Sequence, residues 1–268
     1  MDNWLNLENK VIIVTGGSAG IGFQTVCELI NDGAYVVIAD INPPKKEIKT
    51  TKENQYIYVK TDVSNKDDVI NMVKQTIETY KTIDVLVNNA GVIVPKLLVS
   101  DNKKYELDSA SWDRVMNINL KGTFYCSQEV ARIMVKNKSG VIINMSSECG
   151  LEGSEGQSVY AASKGAINAL TRSWCKELGK YNVRVVGLAP GIIEATDLRT
   201  EEYEEGLAFT RGITKEELRK GYEKANITPL GRCGKLTEVA QAVAFLASDK
   251  SSYIHGTTIN VAGGKTRG

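Results

Sequence analysis

The chain has 268 residues, of which 42% are hydrophobic and 24% are charged, a balance typical of a globular protein rather than a collagen-like, low-complexity or disordered one. Its 33 Lys and Arg residues nearly balance its 32 Asp and Glu residues, so the net charge of +1 favours no nucleic-acid partner. The longest apolar runs fall well short of the ~18 residues that a membrane span needs. The first residues also lack the regions of a signal peptide. We expect a cytoplasmic protein with no membrane partner.

The cysteines argue against a metal site. Their number is odd, no two form a C-x-x-C pair, and His255 is the one histidine in the sequence. We therefore expect no bound metal and reduced thiols, as is usual in the cytosol. The five residues are Cys27, Cys126, Cys149, Cys175 and Cys233.

Seven short runs rich in β-branched residues alternate with longer segments of helical length. Most of the runs are continuously apolar, which is typical of strands buried on both faces of a parallel sheet. The predicted strands are 11–14, 34–39, 56–59, 85–87, 141–145, 183–188 and 257–261. The main predicted helices are 22–31, 66–80, 112–136 and 237–247.

This alternation predicts an α/β protein with a single-domain Rossmann fold over residues 1–268. We expect a doubly wound, seven-stranded parallel sheet with helices on both faces. Two long segments, at about 95–111 and 194–229, follow the carboxyl ends of predicted strands, where open α/β sheets bind ligands, and we predict that both are substrate loops. Thr214 and Glu217 have capping-box spacing, which predicts a short helix in the second loop.

The segment 15–22, Thr-Gly-Gly-Ser-Ala-Gly-Ile-Gly, directly follows the first predicted strand. Glycines here allow a tight turn and close approach to a pyrophosphate, and the following helix directs free N–H groups at the anion. No Lys-Ser/Thr pair follows, so it is not a Walker loop. Glycines between a strand and a helix are also found in simple turns. The residues that we expect at the cofactor are Gly16, Ser18, Gly20, Ile21 and Gly22.

The second predicted strand leads to Asp40. A carboxylate at this position can accept hydrogen bonds from the ribose hydroxyls and repels a 2′-phosphate. No Arg or Lys lies at 17–19 or at Ile41 and Asn42, so we predict NAD rather than NADP as the cofactor. The alternative is a solvated loop acid.

Tyr160 and Lys164 are four residues apart, so on a helix they share one face. A nearby ammonium favours the phenolate, and a tyrosine with a lowered pKa can exchange the proton that accompanies hydride transfer at a carbonyl. Ser147 ends the fifth predicted strand, where its hydroxyl can bond the substrate oxygen. A Y-x-x-x-K pair alone is a weak signal, because both residues are common on surface helices.

Together these motifs resemble the short-chain dehydrogenase/reductase family along nearly the whole chain. The family's pattern is also matched by Asp62 and Val63 after the third strand, by the Asn-Asn-Ala-Gly sequence at 88–91, by Asn119 in Asn-Leu-Lys-Gly, and by Pro190 and Gly191 after the sixth strand. The resemblance implies further cofactor contacts from Ile41, Asp62, Val63, Asn89, Ala90, Gly91, Tyr160, Lys164, Pro190, Gly191 and Ile193.

The resemblance also implies a catalytic tetrad. Tyr160 would be the general acid/base, Lys164 would lower its pKa and bind the nicotinamide ribose, Ser147 would orient the substrate oxygen, and Asn119 would hold a water of the proton relay. One departure concerns a threonine that family members commonly place five residues after the proline that matches Pro190. That position is Ala195 here and the threonine is Thr196, so either the loop carries an extra residue or the contact is lost.

The substrate edge is rich in polar groups. Glu148, Glu152, Glu155 and Gln157 lie between Ser147 and Tyr160, and converging carboxylates and amides suit a ligand rich in hydroxyls. Acids of this kind are also often solvated. We expect Glu152, Ser147 and Tyr160 to contact the substrate.

Basic residues on the long segments and the C-terminal tail provide candidates for a phosphate site: Lys96, Lys103, Lys104, Arg199, Arg211, Lys265 and Arg267. The segments 96–112, 146–157, 199–211 and 262–268 resemble those of family members that act on phosphorylated sugar alcohols. We therefore expect a phosphorylated sugar alcohol as the substrate, with Lys265 and Arg267 on its phosphate.

Several alternatives remain open from the sequence. Another NAD-dependent polyol, diol or sugar dehydrogenase, for example one for sorbitol or gluconate, would not depend on phosphate. An acyl-carrier reductase would use NADP, against which Asp40 argues, and an NAD sensor would not need the tetrad. Small residues after Tyr160 resemble the family's subunit interface, so we expect a homotetramer. They are Ala161, Ala162, Gly165, Ala166 and Ala169.

Overall fold

One parallel sheet of seven strands organises the computed structural model, which describes residues 4–223 and 228–265. Each predicted strand is present, and its ends differ from the prediction by two residues at most. The strands are β1 (Val11–Thr15), β2 (Tyr35–Asp40), β3 (Tyr56–Lys60), β4 (Val85–Asn88), β5 (Gly140–Met145), β6 (Val183–Pro190) and β7 (Thr258–Val261).

The strand order across the sheet is β3-β2-β1-β4-β5-β6-β7, and every pair is parallel. The order reverses between β1 and β4, and this reversal is the point at which open α/β sheets bind ligands. The predicted doubly wound α/β fold is therefore confirmed.

Helices cover both faces of the sheet. They are α1 (Gly20–Asn31), α2 (Lys66–Tyr80), α3 (Ser109–Val115), α4 (Gly122–Asn137), α5 (Cys149–Glu152), α6 (Ser158–Leu178), α7 (Glu201–Thr210), α8 (Lys215–Glu223) and α9 (Leu236–Ala247). Side chains of α1 and α9 form one core against the sheet, and those of α2 and α4 form the other. Neighbouring residues of a strand point to opposite faces, so Ile12 belongs to the first core and Ile13 to the second.

The helix predicted over 112–136 is interrupted. α3 and α4 are joined by a π-helical turn at Met116–Lys121, which contains Asn119. π turns are rare, and many occur at functional sites. Hydrophobic periodicity gives no signal for this local change of pitch.

The two long segments lie against each other at the carboxyl edge. Thr200 caps α7, and Thr214 and Glu217 form the predicted capping box at α8. We call α7 and α8 together with residues 194–200 and 211–214 the lid. The Tyr105 ring stacks on Phe209 of the lid at a centroid distance of 4.0 Å. No residue of 95–111 lines the main cavity at this edge. The segment packs against the lid instead, and its predicted role as a substrate loop stays a prediction.

Among the described residues, no helix has the length and apolar character required to cross a bilayer.

Candidate active site

A cavity of about 670 Å³ lies at the carboxyl ends of the strands, on both sides of the β1/β4 reversal. Its volume is in the usual range for small-molecule sites. Nearly all the sequence-predicted cofactor residues line it. They are Gly16, Gly20, Ile21, Gly22, Asp40, Ile41, Asp62, Val63, Asn89, Ala90, Gly91, Tyr160, Lys164, Pro190, Gly191 and Ile193.

The glycine loop provides a cradle for an anion. Gly16 and Gly20 have φ angles of +63° and +53°, which glycine adopts without strain. Ala19 precedes α1 and supplies no side-chain cap, so the first amides of that helix remain available to a ligand. A Cβ on Gly22 would lie 2.0 Å from the Gly16 carbonyl oxygen. These features fit the pyrophosphate of a dinucleotide.

Asp40 holds the loop from the end of β2. Its carboxylate accepts hydrogen bonds from the backbone N–H groups of Ser18 at 3.1 Å and Asn42 at 3.2 Å. Ser18 thus acts through its backbone and does not itself line the cavity. Asp40 lines the cavity, and each of its oxygens can accept a further hydrogen bond, as a ribose contact would require.

The Asn-Asn-Ala-Gly segment ties β4 to its neighbours. The Asn88 amide donates to Asn144 of β5 and to Ser127 of α4. The Asn89 amide donates to the carbonyls of Thr15 at 2.9 Å and Gly16 at 3.0 Å, which fixes the start of the glycine loop. Asn89 is therefore a positioning residue for the loop.

The structure brings the four predicted tetrad residues together. Lys164 is buried, its Nζ donates to the Met145 carbonyl at 2.6 Å, and it lies 5.7 Å from the Tyr160 ring centroid. Ser147 is hydrogen-bonded to the Tyr160 hydroxyl. A Cβ on Gly91 would lie 3.3 Å from Asn119 Oδ1 and 3.7 Å from Lys164 Nζ, so the three residues converge.

The pKa of Tyr160 differs from the lowered value that the sequence predicts, and the pKa of Lys164 is shifted as well. Burial raises the pKa of Tyr160, and its hydrogen bond with Ser147 opposes this rise only in part. Burial also lowers the pKa of Lys164 to about 8. The expected lowering of the tyrosine pKa is therefore not seen, because desolvation of the phenolate, with Cys149 and Glu148 nearby, outweighs the hydrogen bond with Ser147.

The lowered pKa of Lys164 predicts a pH-dependent stability. Folded Lys164 loses its proton near pH 8 and the unfolded residue near pH 10.4, so between these values the unfolded chain binds more protons and stability rises with pH. Relative to Lys164→Met, wild type should gain about 3 kcal/mol of unfolding free energy over this interval. Urea unfolding from pH 7 to 10.5 measures the gain, and a constant difference would contradict it. Exposed Lys220→Met serves as the control.

Asn119 is fully buried behind the cavity wall. Its Oδ1 accepts from the Val92 N–H at 2.8 Å, and its Nδ2 donates to the Val92 carbonyl at 2.9 Å and to Ser163 Oγ at 3.2 Å. These bonds use both amide hydrogens and one of the two acceptor sites of Oδ1, and two of them clamp Val92. The side chain therefore positions Gly91 and Val92, and the predicted water-holding role remains a prediction.

Thr196 settles the departure after Pro190. Ala195 is exposed, whereas Thr196 lines the cavity, and a Cβ on Gly20 would lie 3.3 Å from its Cβ. The threonine thus reaches the glycine loop, which favours the alternative of one extra residue in the loop over a lost contact.

The same cavity contains the predicted substrate residues. Ser147, Tyr160, Glu152 and Lys265 all line the cavity. Lys265 Nζ forms an ion pair with buried Glu148 at 2.8 Å, so it already has a carboxylate partner. Arg267 lies outside the described residues.

The lid adds two tyrosines that the sequence analysis does not identify. Tyr203 of α7 and Tyr222 of α8 line the cavity, and so do Arg199 and Arg211, two of the basic residues named above as phosphate candidates. The Tyr203 hydroxyl accepts from Gln157 Nε2 at 3.2 Å, which joins the lid to the start of α6. The sequence gives only a faint signal for Tyr203 and Tyr222, because each short helix contains one tyrosine and neither tyrosine matches a motif.

A sequence model of the short chain dehydrogenase family matches residues 10–206. The chain belongs to the short-chain dehydrogenase family. This confirms the resemblance drawn from the motifs. The short-chain dehydrogenase is thus an oxidoreductase, and its family implies a nicotinamide cofactor.

Curated relatives of this short-chain dehydrogenase match it over nearly their whole length. It is 54% identical over 271 residues to the sorbitol-6-phosphate 2-dehydrogenase of Klebsiella pneumoniae, with 100% of each chain covered. It is 39% identical to a 3-oxoacyl-(acyl-carrier-protein) reductase of Thermotoga maritima, with 97% of this chain and 99% of the relative covered.

Solved structures agree with the fold of this short-chain dehydrogenase. Levodione reductase is 30% identical, with a TM-score of 0.84 and coverage of 96% of this chain and 98% of that one. The ligand-free aldohexose dehydrogenase of Thermoplasma acidophilum is also 30% identical, with a TM-score of 0.82 and coverage of 97% and 95%.

Proposed function

We propose that this short-chain dehydrogenase interconverts D-sorbitol 6-phosphate and D-fructose 6-phosphate with NAD. The observation that carries the proposal is the 54% identity, over the whole of both chains, to the sorbitol-6-phosphate 2-dehydrogenase of Klebsiella pneumoniae. A cavity wall with Glu148, Glu152 and Gln157 supports it, because carboxylates and amides suit a polyol.

Oxidation at C2 removes a hydride from carbon and a proton from the hydroxyl. The nicotinamide ring, when bound, accepts the hydride. Tyr160 takes the proton at its hydroxyl oxygen, and Ser147 holds the substrate oxygen beside it. In the reverse direction, Tyr160 returns the proton to the ketone oxygen.

The raised pKa of Tyr160 has a consequence for direction. The hydroxyl is protonated at neutral pH, the form that donates to a ketone. Oxidation of the alcohol needs the deprotonated form. We therefore propose that the oxidation rate increases with pH, whereas the reduction rate does not.

The experiment that tests the function is steady-state NADH production with D-sorbitol 6-phosphate, beside D-sorbitol at the same concentrations. We expect strong turnover with D-sorbitol 6-phosphate and not with D-sorbitol. Equal turnover of both polyols would contradict it and favour the alternative, a dehydrogenase for an unphosphorylated polyol, diol or sugar. The similarity to aldohexose dehydrogenase favours that alternative as the second candidate.

The choice of NAD rests on Asp40, whose carboxylate faces the cavity at the end of β2. Its charge would repel a 2′-phosphate, so Asp40→Ser should raise the kcat/KM with NADP relative to NAD by about 10-fold or more. Parallel kinetics with the two cofactors measure the ratio. Asp113→Asn, on an exposed site of α3, is the matched control and should leave the ratio unchanged. An unaltered ratio in the Asp40 variant would remove the basis for NAD.

We also propose a cytoplasmic homotetramer. The small residues of α6 leave Ala162 and Ala169 exposed, and small side chains allow a partner helix to approach closely. Light scattering on the purified protein should give four times the chain mass, and a monomer mass would contradict the proposal.

A further inference from the structure

We propose that Arg199 and Arg211 of the lid form the subsite that binds the phosphate of the substrate. The inference rests on the proposed function, because it requires a phosphorylated polyol. Of the basic residues that the sequence offers for a phosphate site, the proposal selects these two, which line the cavity, in place of the expected Lys265 and Arg267.

Both arginines line the cavity, and both lie near Tyr203. Arg199 lies just before α7, and Arg211 follows the end of that helix. Both are close enough to the Tyr203 hydroxyl to influence it. Burial and then neighbouring Tyr222 raise the pKa of Tyr203, whereas the hydrogen bond with Gln157 and the charges of Arg211 and Arg199 lower it.

Arg199 has hydrogen-bonding capacity that nothing in the described chain uses. Its Cζ lies over the Tyr222 ring, 3.5 Å from the centroid. A guanidinium held against an aromatic face loses freedom to turn, and its N–H groups stay available for hydrogen bonds. Its Nη2 is buried without a hydrogen-bond partner among the described residues. A buried, oriented and unpaired donor of this kind is suited to an anion.

The other cations of this edge are already paired. Lys96 binds Asp108, Lys103 binds Glu106, Lys104 binds Glu205, Lys215 binds Glu201, and Arg219 binds Glu204. Of the cavity's remaining cations, Lys164 donates to Met145 and Lys265 binds Glu148. Within residues 4–223 and 228–265, no ion pair is found for Arg199 or Arg211, so the two positive charges lie near each other without an anion.

The distance from the reacting centre also fits. Tyr203, beside the two arginines, is bonded to Gln157, which precedes Tyr160 by three residues at the start of α6. Three residues of helix rise about 4.5 Å. C2 and C6 of the polyol are separated by four carbon–carbon bonds, so a substrate with C2 at Tyr160 can extend its phosphate toward the lid.

The test compares Arg199→Gln, Arg211→Gln and the double variant with wild type, using D-sorbitol 6-phosphate, D-sorbitol and NAD. The control is Lys220→Gln, which removes one exposed charge of α8 that does not line the cavity. We expect the double variant to raise the KM for D-sorbitol 6-phosphate by about 100-fold, because two charge-assisted contacts are lost. The kcat/KM for D-sorbitol, which carries no phosphate, should fall far less than that for D-sorbitol 6-phosphate, and Lys220→Gln should leave both values unchanged.

Inorganic phosphate is a second probe. It should inhibit wild type and Lys220→Gln by competing with D-sorbitol 6-phosphate, and it should inhibit the double variant at least tenfold more weakly. If the double variant does not fold, Arg199→Lys retains the charge but loses the planar fork, and it should raise the same KM about tenfold.

The possible results distinguish a failure of the proposed function from a failure of the arginine subsite. A wild-type enzyme that turns over D-sorbitol as well as its phosphate contradicts the proposed function. A wild-type enzyme that requires the phosphate, with arginine variants that keep their KM and their inhibition by inorganic phosphate, overturns the arginine subsite alone. A KM that rises instead in Lys265→Ala would return the phosphate to Lys265.

Discussion

Tyr160→Phe should lower turnover by about 1,000-fold, because it removes the group that exchanges a proton with the substrate oxygen. The ring remains, so packing beside Ser147 and Lys164 is kept, and the affinity for NAD should fall far less than turnover because at most one hydroxyl contact is lost. Single-turnover hydride transfer and NAD titration, measured on the same sample, separate the two effects.

The control for this variant is Tyr253→Phe, which loses a hydroxyl from a fully exposed side chain. It should behave as wild type in both measurements. If Tyr160→Phe retained more than about a tenth of wild-type turnover, Tyr160 would not be the general acid/base. A loss of NAD binding as large as the loss of turnover would show that the tyrosine acts mainly by holding the cofactor.

Gly22→Ala should abolish cofactor binding and destabilise the protein. The added Cβ would lie 2.0 Å from the Gly16 carbonyl oxygen and 2.5 Å from Asn89 Nδ2. Neither atom can withdraw easily, because Gly16 has a φ of +63° and the Asn89 amide is bonded to the loop. We expect an affinity for NAD at least about 100-fold weaker and a melting temperature lower by about 5 °C.

Gly221→Ala is the matched control for this change. Gly221 lies in α8 with open space where a Cβ would be added. Alanine has the higher helix propensity, so the control should be as stable as wild type or up to about 1 kcal/mol more stable. Tight NAD binding by Gly22→Ala would show that the backbone of residues 15–22 is not the pyrophosphate site.

The features that the sequence predicts well depend on local chemistry. The strands are continuously apolar because both faces are covered, and this pattern is visible in any buried parallel strand. The glycine loop and Asp40 are also predictable, because a positive φ at Gly16 and Gly20 and a carboxylate after β2 are requirements of the backbone and of charge. The π turn around Asn119 has no such signal, since it changes hydrogen bonding and not composition.

The features that the sequence does not predict depend on contacts between distant segments. The pKa of Tyr160 follows from burial, which a Y-x-x-x-K spacing does not contain. Lys265 and Arg199 are equivalent as basic residues in a sequence. The fold distinguishes them, because one meets Glu148 and the other stacks on Tyr222 with a buried nitrogen free.

D-sorbitol 6-phosphate that carries deuterium at C2 provides the sharpest test of the assigned reaction. We expect the deuterium to appear on the nicotinamide ring of the reduced cofactor, D-fructose 6-phosphate to be the product, and the rate of the hydride step to fall. Mass spectrometry of both products gives the answer in one reaction. A reduced cofactor without deuterium, or an aldehyde product from oxidation at C1, would contradict the assigned reaction.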